Sequence, residues 1–74
     1  MVDINQLIRE EQSRSLAKHG RFNSAHELYA VLKEEVDEFW DSVKADNPDP
    51  LELVQIAAVA RRGYQEIMQT RRKI

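Results

Sequence analysis

The sequence predicts an all-α protein: an antiparallel three-helix chain that forms a four-helix-type bundle through dimerisation. Three observations point there. Gly20, Gly63, Pro48 and Pro50 are the only glycines and prolines among 74 residues. No stretch alternates apolar and polar residues, and no hairpin dipeptide occurs. Three separate helix-start signals divide the chain into segments joined by short connections, which makes neighbouring helices antiparallel.

The first helix is expected at about 3–19. Asp3 caps it, with Gln6 at the third helical position, and His19-Gly20 ends it. The second is expected at about 24–45, opened by Ser24 with Glu27 three residues on and closed by Asp46-Asn47-Pro48. The third is expected at about 49–72: Asp49 caps it, Pro50 takes its first position and Glu52 its third. Residues 1–74 thus read as one helical domain.

On the third helix Leu53, Ala57, Ala60, Tyr64 and Ile67 form one apolar stripe, and Val54 with Ala58 a second contact line. Small residues at 57, 58, 60 and 63 suit a close helix crossing. A chain this short buries too little apolar surface to be comfortably stable alone. It has no cysteine to form a disulfide or a thiolate zinc site. A second copy is the expected support.

Hydrophobic residues make up 42% and charged residues 32%, as in soluble globular chains. No apolar run is long enough to span a membrane, and Met1-Val2-Asp3-Ile4 does not begin a secretory signal. A cytoplasmic location is expected. The net charge of −2 hides a division: residues 1–26 carry +1, residues 27–52 carry −7 and residues 53–74 carry +4. The acidic centre argues against nucleic acid as a partner. Arg61 and Arg62 alone do not make a DNA-recognition helix.

The segment Lys33-Glu34-Glu35-Val36-Asp37-Glu38-Phe39-Trp40 carries the chemistry. On a wheel of ~100° per residue, Leu28, Leu32, Val36, Phe39 and Val43 define an apolar arc, and Glu35 falls inside it. Glu38 sits at its edge, with Glu34 one turn back. A carboxylate facing a core is costly unless protonated, paired or metal-bound. A divalent cation removes both that cost and the mutual repulsion. Glu52 and Gln55 repeat the i, i+3 spacing of Glu35 and Glu38 on the next helix. Oxygen-only ligands favour magnesium or manganese.

Glu34-Glu35-x-x-Glu38 followed by Glu52-x-x-Gln55 resembles the signature of the MazG-like all-α nucleoside triphosphate pyrophosphohydrolases. Lys18-His19-Gly20, Ser24-Ala25-His26-Glu27 and Leu53-Val54-Gln55-Ile56-Ala57-Ala58-Val59-Ala60 are also similar, and the likeness runs from about Arg9 to Gly63. The resemblance implies hydrolysis of a nucleoside triphosphate to a nucleoside monophosphate and pyrophosphate. It implies Glu35, Glu38 and Glu52 as magnesium ligands, with Gln55 where the family usually has aspartate. Glu34 would be a further ligand or the base for the attacking water. Arg14, Lys18 and Arg62 are candidates to meet phosphate charge, and Phe22 or Trp40 to stack on a base. The chain lacks a clear fourth helix, so a partner subunit is expected to supply the missing wall.

Other roles compete for single residues. Glu52, three residues after Asp49, could fold back onto the helix start. Glu34 could be a solvated surface charge. His26 reads as a surface or substrate-facing residue, and Arg71-Arg72-Lys73 as partners of the helix's negative pole. The alternative function is a non-catalytic oligomeric helical interaction module with an acidic cation-binding face.

Overall fold

A computed structural model describes residues 2–70 and contains three helices: α1 (Ile4–His19), α2 (Ala25–Lys44) and α3 (Pro50–Thr70). No strand occurs among the described residues. Residues 71 and 72 of the expected third helix, and the Arg71-Arg72-Lys73 cluster, lie outside the described residues.

Each boundary follows from local chemistry. The Asp3 side chain accepts the Asn5 N–H at 3.1 Å, and Leu7 N–H donates to the Asp3 carbonyl. At the far end Gly20 takes φ 73°, and its N–H donates to the Leu16 carbonyl at 2.8 Å. That left-handed angle is one glycine adopts without steric cost.

Ser24 Oγ accepts from Glu27 N–H at 3.0 Å. Glu27 reaches one residue further back than a standard capping box, accepting the Asn23 N–H at 2.9 Å. α2 ends in a Schellman arrangement. Asp46 N–H donates to the Val43 carbonyl and Asn47 N–H to the Ser42 carbonyl, both at 3.0 Å, with Asp46 at φ 61°. Asp49 then opens α3 by accepting the Leu51 N–H at 3.0 Å.

α3 is the central element. α1 and α2 each pack on it, and among the described residues no Cα atom of one lies within 8 Å of the other. The α3 core line is Val54, Ala58 and Val59, with Ala58 only 2% exposed. Gly63 lets α2 come close: a Cβ there would lie 2.7 Å from both Leu28 methyl carbons. The stronger apolar stripe read from the sequence faces outward instead, with Leu53, Ala60, Tyr64 and Ile67 exposed and Ala57 half-buried. On α2, Leu28, Leu32 and Phe39 turn inward, while Val36 and Val43 are exposed. No described helix is long and apolar enough to cross a membrane.

Candidate functional site

Because α1 and α2 both rest on α3 with their Cα atoms more than 8 Å apart, a cleft of about 640 Å³ opens between them. α3 forms its floor through Gln55, Ala58, Val59 and Arg62. α2 forms one wall through Glu27, Val31, Glu34 and Glu35. α1 forms the other through Glu11, Arg14, Ser15 and Lys18. Gly20, Phe22 and Asn23 line the end near the α1–α2 connection.

At the α2–α3 seam, one carboxylate oxygen from each of Glu35, Glu38 and Glu52 lies within 4.8 Å of the others. Glu35 and Glu52 are half-buried and Glu38 is exposed. The i, i+3 spacing sets Glu35 and Glu38 along one side of α2, opposite Glu52 and Gln55 on antiparallel α3. Glu52 therefore joins the cluster rather than serving only its own helix start. With its nitrogen turned inward, the Gln55 amide donates to Glu52 Oε2 at 2.9 Å and Glu35 Oε2 at 3.0 Å. Turned over, the amide sets its oxygen facing those same carboxylate oxygens.

The electrostatics follow from this convergence. Burial pushes the Glu35 carboxyl up to about 7, and Glu38 and Glu52 add to the effect, with smaller parts from Glu34 and Glu11. Glu52 is also raised, by desolvation first, then by Glu38 and Asp49, and by a hydrogen bond with Glu38. These are groups that a bound cation would return to their ionised form. The donor set fits a hard divalent ion: three carboxylates and one amide, without nitrogen or sulfur ligands.

The cationic candidates share the cleft. Arg14 is exposed and bonded to Glu11 at 2.8 and 3.1 Å. Lys18 is exposed on the same wall. Arg62 is different, being only 4% exposed. It donates to Ser15 Oγ at 2.8 Å, pairs with Glu66 at 3.1 Å, and lies 3.9 Å over the Phe22 ring. Phe22 is itself buried with Arg62 on one face, so that face is closed to a base. Trp40 lies outside the cleft, with Lys44 5.7 Å from its ring centre.

Glu34, Glu35 and Gln55 thus line the same cleft as Arg14, Lys18 and Arg62, while Glu38 and Glu52 meet Glu35 at its edge. His19 is exposed at the cleft rim, whereas His26 is exposed and does not line it. Sequence reasoning missed Ser15, Glu11 and Glu66. The Arg62–Glu66 spacing of four was available as a signal for the last; nothing in the pattern marks Ser15.

No family profile, curated protein or solved structure matches the chain.

Proposed function

We propose that this chain is a magnesium-dependent, MazG-like nucleoside triphosphate pyrophosphohydrolase, cytoplasmic and working as a homodimer or higher homo-oligomer. The observation that carries the reading is the convergence of Glu35, Glu38 and Glu52 within 4.8 Å, beside a cleft that also holds Arg14, Lys18 and Arg62. A volume of about 640 Å³ is of the size that encloses a nucleotide.

Glu35, Glu38, Glu52 and the Gln55 oxygen would hold magnesium, with manganese as a substitute. When bound, the ion supplies phosphate charge neutralisation and a water of lowered pKa. Lys18 and Arg14 are exposed cations on the α1 wall, placed to meet the triphosphate charge. Arg62 offers a fixed charge at the floor, its direction set by Ser15 and Glu66. Glu34 is the base candidate, accepting a proton as the water oxygen attacks the α-phosphorus. The α–β anhydride bond breaks, and pyrophosphate leaves from a nucleoside monophosphate.

The test is pyrophosphate release from a panel of nucleoside triphosphates with magnesium. At least one should be turned over, and Glu38→Gln should lower the rate by roughly 100-fold or more. No release from any nucleotide would overturn the reading.

One observation favours a second reading. The Gln55 nitrogen can hold Glu35 and Glu52 together with no cation at all. The cluster would then be part of an acidic face on a non-catalytic interaction module. Calorimetry separates the two: equal weak magnesium heats from the wild type and a Glu35→Ala/Glu38→Ala variant would select the module.

A further inference from the structure

Arg62 is committed before any ligand arrives. Its Nη1 donates to Ser15 Oγ at 2.8 Å, its Nε lies 3.1 Å from Glu66 Oε2, and its guanidinium lies 3.9 Å over the Phe22 ring. Moving to a phosphate would mean giving up all three, for a residue only 4% exposed.

The consequence falls on Ser15. A guanidinium only donates, so Ser15 Oγ is the acceptor in that bond wherever its own hydrogen points. The Ser15 proton must then go to another acceptor. Ser42 shows the ordinary outlet on a helix: its hydroxyl donates to the Phe39 carbonyl one turn back at 2.7 Å. Ser15 makes no such bond, and its hydroxyl has no acceptor among the described residues. It is half-buried and lines the cleft. A hydroxyl that accepts from a cation is also polarised into a stronger donor.

The neighbours of Ser15 select what it donates to. Arg14 precedes it, Lys18 follows one turn on, and all three line the cleft. Glu11, one turn before, is occupied by Arg14 at 2.8 and 3.1 Å. A donor hydroxyl set between two cations suits an anion with several oxygens, as a polyphosphate has. We propose that Ser15 contacts the substrate directly, its hydroxyl donating to a phosphate oxygen, while Arg62 acts through it as a positioning residue. The proton stays on Ser15, and no covalent bond changes there. Arg14 and Lys18 bring charge; Ser15, anchored by a buried guanidinium, brings direction. This role rests on the reading of the cleft as a polyphosphate site given above and is independent of hydrolysis.

The probe is inorganic tripolyphosphate with magnesium, titrated by calorimetry, beside the kinetics of any nucleotide that is turned over. Ser15→Ala should weaken tripolyphosphate binding roughly 10-fold or more, and Ser15→Thr, which keeps the hydroxyl, should stay within about 3-fold of the wild type. Arg62→Lys should weaken binding in the wild-type background and add nothing to Ser15→Ala, because its effect passes through the hydroxyl. Ser15→Ala also takes an acceptor from a buried guanidinium, and a displaced Arg62 would show in the Phe22 ring resonances. If those move, the wild type decides: in its tripolyphosphate complex the Ser15 hydroxyl proton should exchange slowly and show coupling to phosphorus. A loss under about 2-fold in Ser15→Ala would overturn the role. So would a wild type that binds no tripolyphosphate, or a complex without that coupling. Nucleotide hydrolysis unchanged in Ser15→Ala would end this role and leave the pyrophosphohydrolase reading standing. Tripolyphosphate held through Ser15, with no nucleotide hydrolysed, would do the reverse.

Discussion

Glu35 concentrates the consequences of the fold in one carboxyl group. Its pKa in the folded chain is about 7, above the ordinary 4.5. The folded state therefore binds this proton more tightly than the unfolded one. Below about pH 4.5 both states are protonated and Glu35 imposes no penalty. As pH rises through about 7 the group ionises among Glu38 and Glu52, and folding stability falls. Solvent screening limits the loss to on the order of 1–2 kcal/mol. Urea melts without divalent ions at about pH 5 and about pH 8 should show this decline, and Glu35→Gln should flatten it. Magnesium, which competes with the proton for these oxygens, should stabilise more at about pH 8 than at about pH 5. Gln55 gives the complementary test. Gln55→Asp replaces an amide donor with a charged ligand, so magnesium affinity measured by calorimetry should rise roughly 10-fold. In the metal-free protein the same change removes a bridge between Glu35 and Glu52 and adds a fourth negative charge, lowering the melting temperature.

At the scale of the elements, what was legible in the sequence is what depends on near neighbours. Asp3, Ser24 and Asp49 cap because their side chains reach an N–H two or three residues on, and no distant part of the chain enters that chemistry. The i, i+3 pairs legibly placed Glu35 and Glu38 opposite Glu52 and Gln55, because helix periodicity fixes their faces. The buried face of α3 is legible only in Val54 and Ala58, the second contact line of the sequence. Its outer stripe is the more apolar, yet the core runs through Val54, Ala58 and Val59, with Arg62, Gly63 and Glu66 beside them. Gly63 and Ala58 admit the neighbouring helices closely, and a buried charge pair occupies positions that a hydrophobicity pattern assigns to solvent. Substitutions at two positions probe these elements by urea denaturation. Asp46 holds a left-handed angle, so Asp46→Gly should stabilise by about 0.5–1 kcal/mol and Asp46→Val should cost about 1 kcal/mol or more. Gly63→Leu drives a side chain into Leu28 and should cost about 1–3 kcal/mol.

Across the whole molecule, α1 packs on α3, where polar contacts help to hold it, and reaches α2 through a short connection. Gln12 bonds Gln65, and Ser15 accepts from Arg62. Glu66, 5% exposed, accepts the Phe22 N–H at 2.9 Å and pairs with Arg62, with Arg21 3.8 Å away. One carboxylate thus fixes the α1–α2 connection and, through Arg62, the α1 wall. Such an arrangement makes the wall's position all-or-none, since a buried guanidinium without its partner is expensive. Glu66→Ala should therefore cost about 3–5 kcal/mol in a urea melt. Glu66→Gln keeps an acceptor for Phe22 and should cost less. Amide hydrogen exchange locates the damage. In Glu66→Gln, protection should fall first along α1, whose apolar residues are at best half-buried, while the α2–α3 seam around Val59 and Gly63 keeps its protection. Uniform loss across all three helices would show instead that α1 and the α2–α3 pair unfold as one unit, and that the wall has no independent freedom to open over a ligand.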